Sequence, residues 1–420
     1  MKILFINKYD THGGAAIAAW RLQEGLYEKY HTTNKLLCGI KFSDLDFVKE
    51  TRKKGWENFL ERGFNFGFNQ LGLQYFWFPF STGRILEFTQ KFQPDIISLH
   101  NLHGGFFKTT LLKELSVVAP LVWTLHDMWA FTASGAYTGG DESWKEMKRG
   151  RQERKQFPAI GIDTGRFLIR RKKNIYAQSR LTYVCPSGWM QNMAKQSPVL
   201  RGKEILHIPN GINLDRFCPA EDKEELCQKL KIVPSQKVLL LFAENINDER
   251  KGSKDLKKIL MELDSPENKN VLLLIAGSGR LSLSFQYLQV RALGFLSGEK
   301  AIIPILQVAD LFIFPTHEDN LPNTLIEAIA CGVPCITYNV GGCGEIIKDN
   351  FNGKLIPARQ YLKFYKAITA VLNSPEELKT LKTNARAYAV QNFDVQQMAN
   401  RYYALFQDIL NREQKNKKRK

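Results

Sequence analysis

The sequence predicts an α/β protein made of two doubly wound parallel-sheet domains, and three observations carry that expectation. Short, nearly uninterrupted apolar runs recur along both halves, which is how strands buried on both faces of a parallel sheet read. Between them lie segments with apolar residues at helical spacing, the alternation of a doubly wound sheet. The length, 420 residues, exceeds one ordinary core and divides into domains of about 200 residues each.

In the first half, Lys2 to Asn7 (KILFIN) reads as a strand and Ala15 to Tyr27 as an amphipathic helix. Asp95 to His100, Leu121 to Leu125 and Leu181 to Pro186 are further buried strands. In the second half, Val238 to Ala243, Val271 to Ala276, Leu311 to Pro315 and Pro334 to Tyr338 repeat the pattern. The junction falls at Ile208 to Asn213, where IPNGIN supplies a Pro and an Asn-Gly turn. Trp56 to Thr82 interrupts the alternation with ten Phe, Tyr or Trp residues. Two readings stay open for it: aromatic packing of helices over the first sheet, or a face turned to a membrane or an acceptor. From Ser374 onward the chain reads as helix, with Ser374 and Pro375 as cap and first turn.

Hydrophobic content of 44% and charged content of 24% are those of a globular protein. No apolar run reaches the roughly 20 residues that span a bilayer, and the opening MKILFINKY lacks a signal-peptide apolar region, so a cytoplasmic location is expected. The seven cysteines have no CxxC spacing, and neither a disulfide framework nor a metal site is expected. The net charge is +17. From Lys145 to Lys173, eleven Lys or Arg stand against three Asp or Glu, a local excess of +8. No zinc-finger, RRM or basic-zipper signature points to nucleic acid as the partner, and none is expected. An anionic membrane surface fits better, beside the plain alternative of a solvated basic face.

Ligand-binding chemistry concentrates in Leu311 to Ile347, LFIFPTHEDNLPNTLIEAIACGVPCITYNVGGCGEII. It reads as strand, acidic loop, helix, strand and glycine loop. Such a loop edge lies outside the carboxyl ends of the strands, where ligands bind in open α/β sheets. Glu318, Asp319 and Glu327 can accept from hydroxyls, and the helix start at Asn323 and Thr324 can hold an anion. Arg250 and Lys251 beside Gly252 suit a diphosphate, since they neutralise charge developing on a leaving oxygen. Gly13 and Gly14 at the mouth of the first helix, and His126 beside Asp127 at a strand end, are further candidates. No GxGxxG occurs, which counts against a nicotinamide or flavin enzyme.

These residues resemble the retaining nucleotide-sugar glycosyltransferases of family 4, which have the GT-B architecture: two Rossmann-like domains facing each other across a cleft. The family carries two acids separated by seven residues; Asp319 and Glu327 have that separation, and Glu318 sits one position further away. The resemblance implies that Glu318 or Asp319 contacts the transferred sugar and that Glu327 contacts the ribose. It places His126 near the sugar and Lys251, with Arg250 as a stand-in for an earlier family arginine, on the diphosphate. Gly13, Gly14, Gly277, Leu296, Asn320, Asn323 and Thr324 complete the donor set, with Gly294 to Leu296 offering backbone groups to the base. It implies a domain over 1–207 for the acceptor, a donor domain over 208–384, a helix over 385–412 returning to the first domain, and a basic tail over 413–420. MWAFTASGAYTGG after His126 resembles a capsule and exopolysaccharide subgroup whose loop carries cysteines; those are missing here. The implied activity is sugar transfer from a nucleotide-diphosphate sugar to a polysaccharide, lipid-linked or other glycan, by front-face displacement without a metal or other cofactor, on the inner face of a membrane. A catalytically silent nucleotide-sugar-binding subunit, or an epimerase or phosphorylase of the same architecture, stays open as an alternative.

Overall fold

The computed structural model describes residues 1–52, 55–281 and 283–418. The chain divides into two compact units, Met1–Gly211 with Gln396–Lys420, and Ile212–Val395.

The first unit runs β1 (Lys2–Tyr9), α1 (Gly14–Tyr30), β2 (Thr33–Ile40), β3 (Val48–Glu50), α2 (Trp56–Gln70), α3 (Pro79–Phe92), β4 (Ile96–Leu99), α4 (Leu111–Val118), β5 (Leu121–Thr124), α5 (Gly165–Ala177), β6 (Leu181–Cys185), α6 (Gly188–Gln196) and β7 (Ile205–His207). The strands form one parallel sheet in the order β3-β2-β1-β4-β5-β6-β7. Ile3, Leu4, Phe5 and Ile6 of β1 have no exposed surface, as central strands covered on both faces require. Strand order reverses beside β1, so the loops after β1 and β4 leave the sheet in opposite directions.

The second unit runs α7 (Lys223–Lys229), β8 (Lys237–Asn245), α8 (Ser253–Leu263), β9 (Val271–Ser278), β10 (Gln289–Gly294), α9 (Glu299–Val308), β11 (Leu311–Phe314), α10 (Asn323–Ala330), β12 (Cys335–Tyr338), α11 (Cys343–Ile346), β13 (Gly353–Ile356), α12 (Tyr361–Leu372) and α13 (Pro375–Asn392). Its parallel sheet has the order β10-β9-β8-β11-β12-β13. Separate apolar clusters cover the two faces. Leu325, Ile329 and Ala385 belong to one, and Leu256, Ile259, Phe364 and Ile368 to the other. Two Rossmann-like folds are therefore present.

The last helix, α14 (Val395–Lys418), returns to the first unit. Tyr402 shares a hydrogen bond of 2.8 Å with Thr124, and Tyr403 stacks on Tyr30 at 3.7 Å. The sequence expectation ended the second domain at 384, whereas the structure carries it to Val395. Leu381, Ala385 and Ala389 of α13 are buried, and Arg386 donates to the carbonyls of Leu214, Phe217 and Ala330. The expected tail is also corrected: helix continues to Lys418, with Glu413 paired to Arg180. Arg419 and Lys420 lie outside the described residues.

The aromatic segment splits between its two readings. Tyr75 and Phe78 are buried in the first core, while Trp56, Phe59, Phe64 and Phe66 of α2 are exposed. The basic segment is not one solvated face either. Arg149 and Lys172 are buried, and Arg171 lies 3.8 Å from the centre of the Phe76 ring. Lys172 donates to the carbonyls of Trp129 and Thr132, and burial pulls its pKa down to about 7. Among the described residues no helix is long and apolar enough to cross a membrane.

Candidate active site

In the second unit the strand order reverses between β8 and β11, so the loops after these strands diverge and leave a crevice at their carboxyl ends. Arg250 and Lys251 lie on the loop after β8, and His317, Glu318, Asp319 and Asn320 on the loop after β11. The two loops are bonded to each other. Thr316 Oγ1 and the His317 N–H both donate to the Arg250 carbonyl, at 3.2 and 2.8 Å, and the Arg250 guanidinium donates to the Glu318 carbonyl at 2.8 Å.

Glycine allows this approach at two positions. Gly252 has φ +79° and lies so close to the Pro315 carbonyl that a Cβ would stand 1.8 Å from its oxygen. Gly341, with φ +55°, packs against Asp319, where a Cβ would stand 1.7 Å from the carbonyl oxygen. No side chain fits either place. The glycine loop after β12 is thereby pressed onto the acidic loop, and the Gly342 N–H donates to the Asp319 carbonyl at 3.2 Å.

At the centre is a buried acid between two cations. Asp319 is 8% exposed; its Oδ2 accepts from Lys251 Nζ at 2.5 Å and lies 3.8 Å from the Arg250 guanidinium. Burial alone would raise its pKa. The charges of Lys251 and Arg250, with the Lys251 and Asn320 hydrogen bonds, outweigh that and hold it below the ordinary carboxylate value. Glu318 is half-buried. The Asp319 carboxylate thus joins the cation cluster, and the Glu318 carbonyl accepts from Arg250.

Helix α10 starts four residues past Asp319, with Pro322 at its cap position and no side chain capping it. Asn323 and Glu327 are buried, Glu327 one turn into the helix. The helix start adds partial positive charge beside the cations. A further chain runs behind it, from His317 Nε2 to Asp255 Oδ2 (3.0 Å) and from Asp255 Oδ2 to the Tyr338 hydroxyl (2.9 Å). Sequence reasoning missed Asp255; its spacing carries no local signal. Gly277 lies within β9, Gly294 ends β10, and half-buried Leu296 packs on the core. Among the described residues, no three His, Cys, Asp or Glu side chains converge as a metal site.

The first unit gathers a different set. Gly13 is at the cap of α1 with φ +83° and Gly14 is its first residue. Past the ends of β4 and β5, His100 Nδ1 and His126 Nε2 share a hydrogen bond of 2.9 Å, and Ser98 Oγ is 3.2 Å from His100 Nε2. Burial lowers His126 to about 4, with Asp127 opposing, and burial together with the neighbouring His126 lowers His100 well below its ordinary value, so both rings are neutral at pH 7. Asp127 pairs with His103 Nε2 at 2.7 Å and accepts from the Trp129 N–H at 2.9 Å. His126 is thus hydrogen-bonded to His100, and the adjacent Asp127 is hydrogen-bonded to His103. Sequence reasoning passed over His100 and His103, although both lie in HNLHG directly after a strand. All four line a small cavity with Trp123 and Trp129.

Comparison with known proteins places this arrangement. Residues 12–216 match the model of Glycosyltransferase Family 4, and residues 222–388 match that of Glycosyl transferases group 1. The UDP-Gal:alpha-D-GlcNAc-diphosphoundecaprenol alpha-1,3-galactosyltransferase of Escherichia coli is 24% identical over 213 residues, 49% of this chain and 55% of the relative. The chain thus spans about half the length of that relative. A putative colanic acid biosynthesis glycosyl transferase, WcaC of Escherichia coli K12, is 23% identical over 336 residues, 76% of this chain and 78% of the relative. Among solved structures, Anabaena HepE in complex with UDP has a TM-score of 0.68 at 17% identity, covering 97% of this chain and 100% of its own. WaaG, a glycosyltransferase of lipopolysaccharide biosynthesis, has a TM-score of 0.64 at 15% identity over 97% of this chain and 99% of its own. The chain belongs to the family 4 glycosyltransferases and has their GT-B fold.

Proposed function

We propose that this chain moves a hexosyl group from a nucleoside-diphosphate sugar to a lipid-linked glycan acceptor, with retention of configuration and without a metal, at the cytoplasmic face of a membrane. The observation that carries this reading is the cluster of Lys251, Arg250 and Asp319 beside the start of α10. It offers fixed cations and a helix end to a diphosphate, and acids to hydroxyls, at the strand-order reversal of one sheet. The names of the relatives agree in class, since one specifies UDP-galactose and an undecaprenol-diphosphate acceptor.

In the proposed step the bond between the anomeric carbon and the diphosphate oxygen breaks as the acceptor oxygen bonds to the same face of that carbon. The acceptor proton passes to the departing diphosphate oxygen, so no side-chain nucleophile is consumed. Lys251 and Arg250, with the N–H groups at Asn323 and Thr324, stabilise the negative charge that develops there. Glu327 holds the donor ribose, and Asp319 or Glu318 the sugar hydroxyls. Asp319 also fixes Lys251 in place, so the acid and the cation act as one unit.

The test is donor turnover by the full chain with UDP-, GDP- and ADP-sugars, following the anomeric proton by NMR. The expected result is slow donor hydrolysis that releases sugar in the donor's own configuration at an unchanged rate in EDTA. Inverted product contradicts retention, and a loss in EDTA restored by Mg²⁺ or Mn²⁺ contradicts the cation-based mechanism. Silence with every donor, with and without acceptor extracts, removes the enzymatic reading.

A further inference from the structure

Helix α2 is built inside out. A surface helix ordinarily turns its apolar stripe to the core and its charges to water. In α2 the inward face is buried Glu61 with half-buried Glu57, Asn58, Asn65, Phe68 and Asn69, five of the six polar. Asn58 accepts from Arg52 Nε and Nη2 at 3.0 and 2.9 Å. Glu61, 1% exposed, accepts from the Ser81 N–H and hydroxyl at 2.8 and 2.6 Å. Asn65 lies against Gly105. Glu57 pairs with Arg84. These bonds fix the rotation of the helix, because a turn about its axis would strip Glu61 of both its donors. The outward face is consequently apolar: Trp56 is 65% exposed, Phe59 77%, Phe64 50% and Phe66 66%, followed by Leu71 at 56%. Trp56 meets Phe80, Phe80 meets Trp77 and Trp77 meets Phe64, which joins Trp56 to Phe64 through one run of rings, with Phe59 and Phe66 on the same exposed side.

Cations stand beside this patch. The Gly161 and Ile162 N–H groups donate to the carbonyls of Asn69 and Gln70, both at 2.9 Å, which ties the start of α5 to the end of α2. Phe167 of α5 stacks on Phe76 at 6.0 Å, and Phe167 and Ile162 are themselves exposed. Arg62 of α2 and Arg166, Arg170 and Lys173 of α5 are exposed, whereas the acids of these segments are engaged: Glu57 with Arg84, Glu61 with Ser81 and Asp163 with Arg154. Aromatic residues at the surface with arginine and lysine alongside match an anionic leaflet, whose acyl boundary takes the rings and whose headgroups take the charges.

We propose that α2 is a membrane-inserting helix, its Trp56, Phe59, Phe64 and Phe66 face lying in the headgroup boundary of an anionic leaflet. The inference rests on the membrane-surface reading above and adds the element that enters the bilayer. The α5 cations draw the first unit to the surface, and the α2 rings hold it there.

The experiment is co-sedimentation of the full chain with phosphatidylcholine vesicles rich in phosphatidylglycerol, together with quenching of tryptophan by bromine-labelled acyl chains. Phe59→Ser with Phe66→Ser leaves the inward stripe untouched, so its thermal melt should match the wild type. Its partition into vesicles should fall at least about tenfold at every salt concentration. Trp56 should be quenched in the wild type, with the quenching lost in Trp56→Phe. Arg166→Ser with Arg170→Ser and Lys173→Ser should weaken binding at low salt only, since screening removes that attraction in the wild type as salt rises. Unaltered partition of the Phe variant, or an unquenched Trp56, overturns insertion and leaves charge-driven docking standing. If the wild type ignores every vesicle, the membrane reading falls with it. A dimer in sedimentation velocity that the Phe variant dissociates assigns the face to a second copy and overturns the proposal.

Discussion

Replacing Lys251 with methionine tests whether the cation cluster is held by Asp319. Methionine keeps the length and packing of the side chain over the Phe314 ring, which Lys251 Nζ approaches to 5.0 Å, but removes the charge. Asp319 then stays buried at 8% exposure with Arg250, at 3.8 Å, and the Asn320 N–H for compensation. Breaking a buried ion pair from one side costs about 3–5 kcal/mol, and the remaining guanidinium offsets part of that, leaving about 2–3 kcal/mol. For a unit of this size that is a fall of roughly 5–10 °C in Tm. The loss should depend on pH. In the wild type Asp319 has a lowered pKa, so its contribution is complete above the ordinary carboxylate range and is lost as pH falls through the lowered value. Without Lys251 burial weighs more heavily and the Asp319 pKa rises relative to the wild type, so on acidification the variant protonates Asp319 sooner and recovers stability relative to the wild type. All seven tryptophans lie in the first unit, from Trp20 to Trp189, so the readout is hydrogen exchange across 311–347 at pH 7 and near pH 4. A stability difference that is absent at pH 7, or equal at both pH values, would refute the coupling.

Three further outcomes follow from the same geometry. Asp319→Asn should lower turnover at least about tenfold, since it breaks the Lys251 pair, while Glu318→Gln, which leaves that pair intact, should stay within about threefold; equal, small effects would place neither acid at the sugar. Wild-type stability in urea should fall as pH drops from 6.5 toward about 4, because the unfolded histidines take up protons that His100 and His126 refuse when buried; His100→Phe with His126→Phe should flatten that slope, and an unchanged slope contradicts the buried neutral pair. Gly341→Ala should cost more than about 3 kcal/mol, the sum of positive-φ strain and a Cβ driven into the Asp319 carbonyl, read as loss of exchange protection in that loop.

Much of the fold is legible because central strands are buried on both faces. VLLLFA and VLLLIA read as strands with no knowledge of their neighbours, and each pairs with another buried strand. The strands passed over in the sequence are β2, β3 and β7 of the first sheet and β10 and β13 of the second. QVRALG of β10 holds a single charge among small and apolar residues and has no buried residue, and GKLI of β13 is only four residues at the far edge. The donor-side residues are legible through local order, since Asp319, the helix start and Glu327 sit within nine consecutive positions. What stays hidden is pairing across long separations. Lys251 meets Asp319 68 residues away, and His126 meets His100 26 residues away. Nothing in THEDN says which acid a lysine will claim, because the β8 to β11 adjacency that brings them together is a property of the whole sheet. In α2, likewise, the apolar residues are visible in sequence but the inward turn of Glu61 is not, since it depends on Ser81 in the next helix.

The most direct test of the central claim is calorimetric titration of UDP, GDP and ADP into the full chain and into Lys251→Ala and Glu327→Ala variants. One nucleoside diphosphate should bind the wild type, and each variant should lose at least about tenfold in affinity, about 1.4 kcal/mol, while keeping the wild-type circular dichroism. Failure of all three to bind, or binding in both variants as tight as in the wild type, would contradict a donor site built on Lys251, Asp319 and the start of α10.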